Sequence, residues 1–177
     1  QSYIQCRDNQ ASGEYAAYWS YGTDGSSLSG TDSHSFRSGG SETILVGTST
    51  GGYPYRDTSG WYHVVIRYDS TQSTAADRIR IYKNGQLQNS EFTGTTYPSQ
   101  NAVETYWNNA GEHLILFGNG EDSGDSFDGY IAGFNWVDGQ SLAPETFGES
   151  KNGVWIPKAI TLSTADYGLN GCRYIYF

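Results

Sequence analysis

The sequence lacks methionine and is poor in basic residues. Its 177 residues hold 10 Lys and Arg against 19 Asp and Glu, for a formal charge of −9 and a pI of about 4.6. A chain this acidic repels phosphate groups, so the composition argues against nucleic acid as a partner. No apolar run approaches the ~18 residues that a bilayer-spanning helix needs, so we expect no membrane insertion.

The first residues lack an initiator methionine and the features of a signal sequence. Gln1-Ser2-Tyr3-Ile4 provides neither the basic region nor the apolar region of a secretory signal. We therefore expect a single domain over residues 1–177 that is an excerpt of a longer polypeptide.

Cysteine is scarce, with only Cys6 and Cys172 near opposite ends of the sequence. Their spacing fits neither a zinc site nor a redox pair. The terminal strands of a β-sandwich often lie side by side, so a disulfide between the two is geometrically feasible. The favoured alternative is a pair of buried thiols that act as small apolar side chains.

Glycine and aromatic residues are abundant, with 23 Gly, 15 Tyr, 7 Phe and 5 Trp. Aromatic side chains suit a pleated, half-buried surface, and glycine suits tight turns. No segment has a 3.6-residue apolar period over three turns. The composition therefore predicts an all-β protein, built as a sandwich or a barrel of about ten strands.

The clearest strand pattern lies between residues 61 and 88. Apolar and polar residues alternate over residues 61–69 and again over residues 77–83, where Ile79 and Ile81 point inward. Asn84-Gly85 follows and predicts a tight hairpin, with residues 86–88 running back.

Weaker patterns predict the remaining elements. The predicted strands cover residues 15–19, 42–46, 113–117, 127–137, 154–157 and 172–177, and Pro144 begins a single helical turn. Residues 22–40 are predicted to form a polar, exposed loop.

The order of four motifs resembles laminin-G-like and pentraxin-like jelly rolls. These motifs are Trp61-Tyr62-His63-Val64, Tyr82-Lys83-Asn84-Gly85, the apolar strand at residues 114–118, and Phe127-Asp128-Gly129-Tyr130-Ile131. The resemblance implies an antiparallel two-sheet jelly-roll sandwich of the concanavalin A/laminin G-like class.

The C-terminal third is similar to a subfamily of these domains that is abundant in tailed phages. The similar segments are residues 137–144, 147–149 and 153–158, together with Tyr167-Gly168-Leu169-Asn170-Gly171. The resemblance implies a virion-associated protein, such as a tail fibre or capsid appendage, with other virion proteins and further copies of the chain as partners. The Trp-containing strand that usually opens these domains is absent here, so opening strands are expected to be missing from this excerpt.

The sequence contains no pattern that supports catalysis. It has no alternating pair of carboxylates of the kind that glycosidases place in one cleft, no Gly-x-Ser-x-Gly motif and no phosphate-binding loop. The three histidines share no zinc spacing. We therefore predict a protein that is not an enzyme and that requires no cofactor.

Calcium is the one ion for which the sequence offers a candidate site. Asp122, Asp125 and Asp128 lie in or beside a Gly/Ser-rich loop, and hard oxygen ligands from a flexible loop suit this ion. The alternative, which we favour, is that these carboxylates are solvated turn residues.

Sugar binding is the more specific hypothesis, because aromatic rings pack on sugar rings while amides bond hydroxyls. The candidate residues are Tyr53, Tyr55, Tyr97, Tyr106, Trp107, Asn108 and Asn109. The alternative, which we favour, is that these aromatics pack over sheet edges or against neighbouring subunits.

Three functions follow from these expectations. The first is a virion appendage module, outside the cell, that attaches to polysaccharide on the host surface. The second is a purely structural domain held by subunit contacts. The third is a lectin-like carbohydrate-binding module of an extracellular bacterial protein.

Overall fold

The computed structural model describes residues 2–7, 17–22, 33–38, 42–48, 59–89, 97–103, 113–116 and 129–174, with backbone pairing alone for the strands in 2–48 and 113–116. The strands in these ranges are β1 Ser2–Arg7, β2 Ala17–Gly22, β3 Ser33–Ser38, β4 Glu42–Thr48, β5 Val64–Tyr68, β6 Ile79–Lys83, β7 Gln86–Leu87, β8 His113–Leu116, β9 Phe134–Trp136, β10 Gly148–Lys151, β11 Val154–Pro157 and β12 Cys172–Tyr174. Every strand pair is antiparallel, and the helical elements of the described residues are short 3-10 turns. The prediction of an antiparallel, all-β protein is confirmed at that level.

The largest sheet has five strands in the order β4-β3-β2-β1-β8. Strand β1 is internal: Ile4 is paired with Trp19 of β2 on one side and with Leu116 of β8 on the other. Strand β3 pairs with β2 and β4, and its register with β4 shifts between Phe36 and Arg37.

The prediction of a continuous polar loop over residues 22–40 was wrong, because β3 lies inside that segment. Its sequence, SHSFRS, has a single large apolar side chain and so shows no hydrophobic alternation. Pairing with a strand on each side supplies partners for its backbone N–H and C=O groups, which makes a polar segment acceptable as a strand.

Strands β5, β6 and β7 form a three-stranded meander in the predicted order, although β5 begins at Val64 and not at Trp61. Ile79 and Ile81 are fully buried on β6, as the period-two pattern predicts. The turn that follows has positive φ at both central residues, 49° at Asn84 and 76° at Gly85. Two consecutive left-handed residues match the right-handed twist of the flanking strands, which explains the Asn-Gly preference.

The edge of β6 beyond β7 is completed by a side chain. Asn89 Oδ1 accepts a hydrogen bond from the Ile81 N–H at 3.1 Å, and its Nδ2 donates to the Ile79 carbonyl at 2.7 Å. The amide therefore continues the hydrogen-bond ladder where the two-residue strand β7 stops.

The C-terminal part contains two small antiparallel pairs, β10 with β11 and β9 with β12. The Pro144–Thr146 turn forms as predicted, with Pro144 buried. The prediction of a strand over residues 127–137 was too long, because β9 covers only Phe134–Trp136. Gly133 has φ of 65°, a left-handed conformation that interrupts an extended strand just before β9.

The terminal strand was predicted over residues 172–177, and β12 occupies Cys172–Tyr174. The remaining three positions lie outside the described residues. Besides Ile79 and Ile81, the buried large side chains of the described part are Tyr82, Phe147 and Tyr167.

Candidate functional site

Tyr97 is the one predicted sugar-binding residue that lies in the described part of the chain, where it is half-buried. The other six lie outside the described residues: Tyr53, Tyr55, Tyr106, Trp107, Asn108 and Asn109. Their grouping into one site therefore stays a prediction.

The segment that holds Tyr97 is bonded to the β5–β6 connection. The Arg78 guanidinium donates to the Pro98 carbonyl at 2.8 Å, and Ser70 Oγ donates to the Ala102 carbonyl at 2.8 Å. The Asn101 N–H also donates to the Ser70 carbonyl at 2.8 Å. Gln100 Nε2 adds a bond to the Thr71 carbonyl at 3.2 Å, so Tyr97 lies in a segment that four hydrogen bonds hold to this connection, which is a suitable base for a binding residue.

The β5–β6 connection is itself organised by one carboxylate. Asp69 accepts hydrogen bonds from the Thr71 backbone N–H, from Thr71 Oγ1 and from Gln72 Nε2, at 3.1, 2.6 and 2.7 Å. These bonds favour the ionised form, so the Thr71 hydroxyl first and the Gln72 amide second hold the pKa of Asp69 below its ordinary value. The carboxylate acts as the cap of a tight turn.

The Arg78 guanidinium completes this connection. Besides Pro98, it donates to the carbonyls of Gln72 and Ser73 at 2.9 and 3.1 Å. One planar group therefore binds three carbonyl oxygens from two separate segments, which a point charge such as an ammonium does less well.

The indole of Trp155, on β11, contacts His63 and packs closely against Gly85 in the β6–β7 turn and Gly148 of β10. Its Nε1–H donates to His63 Nδ1 at 3.0 Å, and the two rings have centroids 5.8 Å apart with planes inclined by 28°. A Cβ placed on Gly85 would overlap the indole, and one placed on Gly148 would come within 2.5 Å of Nε1. Both glycines are therefore required by the close approach of this side chain.

His63 is tied to the same hairpin turn through its backbone. The His63 N–H donates to Asn84 Oδ1 at 2.9 Å, and the Asn84 N–H donates to the His63 carbonyl at 2.8 Å. Burial lowers the pKa of His63 from its ordinary value, which favours the neutral imidazole that the bond from Trp155 requires.

The turn at Asp138 contacts the Tyr-Gly-x-Asn-Gly segment, residues 167–171. The Asp138 N–H donates to the Tyr167 carbonyl at 2.9 Å, and Asn170 Nδ2 donates to Asp138 Oδ2 at 3.3 Å. A Cβ on Gly168 would overlap the Asp138 carbonyl, and Tyr167 is held from the other end by its hydroxyl, which donates to Asn135 at 2.7 Å. These residues pack the Tyr-Gly-x-Asn-Gly segment against the turn.

Two large aromatic side chains lie exposed beside these fixed elements. Trp61, shortly before β5, is 68% exposed, and Tyr130, shortly before β9, is 88% exposed. Both residues were predicted to lie within strands and are absent from the predicted binding residues. Gly60 before Trp61 and Gly129 before Tyr130 were the available signals that each aromatic stands at the boundary of an element.

The described residues test neither the predicted calcium site nor the predicted disulfide. Asp122, Asp125 and Asp128 lie outside the described residues, and within the described ranges no group of three His, Cys, Asp or Glu side chains is placed to hold a metal ion. Cys172 is half-buried, and burial raises the pKa of its thiol, while the side chain of Cys6 lies outside the described part. The calcium site and the disulfide stay predictions.

No helix among the described residues is both long enough and apolar enough to cross a bilayer. Comparison of this chain with protein-family models, with curated proteins and with solved structures found no match.

Proposed function

We propose that this chain is a non-enzymatic structural and adhesion module of a phage virion appendage or surface protein, and that it contributes to attachment to glycans on the host surface. Its partners in this proposal are other virion proteins, further copies of the chain and host polysaccharide. It acts outside the cell, on the virion.

The observation that carries the proposal is the exposure of aromatic rings on fixed supports. Trp61 and Tyr130 expose 68% and 88% of their surface, and Trp61 stands shortly before His63, whose backbone N–H is hydrogen-bonded to Asn84. Large exposed apolar groups mark interaction surfaces, and flat rings match the apolar faces of sugars. Tyr97 adds a third ring on the segment bonded to Arg78.

The bonding of the charged side chains also supports binding rather than chemistry. Asp69 caps a turn, Asp166 caps the Thr164–Tyr167 turn with Ser163, and Asp77 pairs with Arg80 at 2.5 Å. Each of these groups already has a structural partner. The resemblance of the sequence motifs to virion jelly rolls supports the proposal that the chain belongs to a phage virion appendage or surface protein.

A glycan array and calorimetry with a hit oligosaccharide test the proposal. Trp61→Ala and Trp107→Ala are the test variants, and Leu169→Ala is the matched control because Leu169 is 94% exposed but not aromatic. We expect at least one aromatic variant to weaken binding by about tenfold, which corresponds to about 1.4 kcal/mol. If wild type binds no glycan, or if Leu169→Ala weakens binding equally, the adhesion proposal fails.

A purely structural role is the second candidate, and it has its own supporting observation. Val103, Tyr130 and Leu169 are large apolar side chains at least 84% exposed. Contact with other subunits would remove this surface from water. Light scattering across a concentration series distinguishes the two: association that is lost in Tyr130→Ser, without glycan binding, supports the structural role.

The calcium prediction has a separate test that needs no glycan. An ion that binds only the folded state raises the melting temperature with its concentration. If these carboxylates bind the ion, millimolar Ca²⁺ should stabilise the wild type and leave an Asp122→Asn/Asp125→Asn variant unchanged. The absence of any shift in the wild type would eliminate the site.

A further inference from the structure

The contact between His63 and Trp155 joins two hairpins that lie 92 positions apart in sequence. His63 stands at the start of the β5–β6 hairpin, bonded through its backbone to Asn84. Trp155 stands on β11, and β11 pairs only with β10 among the described strands. The indole is thus one connection of the β10–β11 hairpin to the β5–β6 hairpin.

The hydrogen bond depends on the protonation state of the imidazole. His63 Nδ1 accepts the Trp155 Nε1–H, so its own proton must reside on Nε2. A protonated imidazole carries N–H on both nitrogens and accepts from neither. Protonation therefore replaces an attractive N–H···N contact at 3.0 Å by two donors that face each other.

We propose that the His63–Trp155 contact is a pH-sensitive connection, in which protonation of His63 releases the β10–β11 hairpin from the β5–β6 hairpin. The backbone pairing of β10 with β11, from Gly148↔Pro157 to Lys151↔Val154, does not itself involve the His63 side chain. The Lys158 N–H, which donates to the Phe147 carbonyl at 3.1 Å, holds the base of that hairpin.

The surroundings of His63 favour this behaviour. The charged residues on the strands of the two hairpins are Arg67 of β5, Arg80 and Lys83 of β6, and Glu149 and Lys151 of β10, and the last two are exposed. Burial is the cause that lowers the pKa of His63. The neutral form is therefore favoured in the folded protein, and the connection is intact above the ordinary histidine value of 6.5.

Because the pKa of His63 is lower in the folded protein than in the unfolded chain, the free energy of unfolding decreases as pH falls. Between the ordinary value and the lower folded value, the unfolded chain binds a proton that the folded chain does not. The contribution of His63 is thus complete above pH 6.5, declines as pH falls through the folded pKa, and then levels off.

The indole N–H resonances provide a direct measurement. The chain has five Trp, and Trp155→Phe identifies the signal of Trp155 by its disappearance. From pH 8 to pH 5 we expect this signal to shift and its protection against solvent exchange, relative to the intrinsic rate, to fall at least tenfold. In His63→Asn, where the amide oxygen stands near the position of Nδ1 and does not titrate, the signal should not respond to pH.

A second measurement keeps the proposal testable if His63→Asn does not fold. The titration midpoint of His63, followed by its ring proton, should be higher in Trp155→Phe than in the wild type, because the lost donor stabilises only the neutral ring. An indole signal that stays unchanged while His63 protonates overturns the proposal. An equal pH response in His63→Asn, or an equal midpoint in Trp155→Phe, also overturns it.

Discussion

Two Asn-Gly turns with almost the same backbone conformation allow the contact of Trp155 with Gly85 to be measured. In the β6–β7 turn φ is 49° at Asn84 and 76° at Gly85, and in the β10–β11 turn it is 53° at Asn152 and 79° at Gly153. A Cβ at Gly153 meets no atom within 4 Å, whereas a Cβ at Gly85 overlaps the indole of Trp155. Alanine therefore imposes the same backbone strain at both positions and a steric conflict at only one.

The expected magnitudes differ accordingly. Placing alanine in a left-handed conformation costs roughly 1–2 kcal/mol, which is the whole effect expected for Gly153→Ala. Forcing an extra methyl group into a packed contact adds about 1–3 kcal/mol for Gly85→Ala. At roughly 2–4 °C per kcal/mol for a chain of this size, the additional loss in melting temperature at Gly85 is on the order of 5 °C.

Urea unfolding followed by circular dichroism measures both free energies, with the slope of the transition as a check that the unfolded state is unchanged. Each glycine variant is also made in a Trp155→Ala background, where the ring is absent and the two substitutions should become equally destabilising. This double-mutant cycle isolates the ring contact from the backbone strain. Equal effects of Gly85→Ala and Gly153→Ala with Trp155 present would refute the reasoning.

Three further predictions concern the described core and the β5–β6 connection. Ile81→Ala should reduce the free energy of unfolding by about 2–5 kcal/mol and Ile81→Val by about 0.5–1.5 kcal/mol, because this side chain is fully buried; chemical denaturation gives both values. Arg78→Lys should reduce the free energy of unfolding by about 1–3 kcal/mol, because an ammonium cannot keep all three bonds to carbonyl oxygens. It should also raise the rate of amide hydrogen exchange in residues 70–78 and 97–103. Unchanged exchange in these two segments would contradict this role of Arg78. The pKa of Asp69 lies below its ordinary value of 3.8 in the folded protein. The stability that its bonds to Thr71 provide is therefore present above pH 3.8 and is lost as pH falls through the folded pKa. Thermal melts should show that the difference in melting temperature between wild type and Asp69→Asn shrinks from pH 5 towards pH 2.

The parts of the fold that the sequence predicts are those in which burial alternates along one strand. Ile79 and Ile81 are separated by arginine, and that pattern identifies β6 and its inward face. Strand β3 has no such alternation, because Phe36 is its only large apolar residue. It forms a strand because it pairs with β2 on one side and with β4 on the other. A tertiary partner determines such a strand, and its local pattern does not.

The candidate site was less predictable for the same reason. Side-chain exposure at Tyr130 depends on where β9 begins, and the left-handed Gly133 moves that point beyond the predicted boundary. The bond between His63 and Trp155 joins residues in different hairpins, and neither local pattern points to the other. Tyr97 was predicted because it is an aromatic residue in a loop-like segment, whereas the bond from Arg78 to the neighbouring Pro98 carbonyl depends on the three-dimensional arrangement.

The internal position of β1 has a consequence for how the chain is synthesised. Ile4 pairs with Trp19 within a short segment, but its other partner, Leu116, is translated much later. At 5–20 residues per second the wait is on the order of 5 to 20 seconds, during which one edge of β1 has no native partner. An unpaired edge invites pairing with another nascent chain, so slower initiation or lower expression temperature should favour correctly folded material.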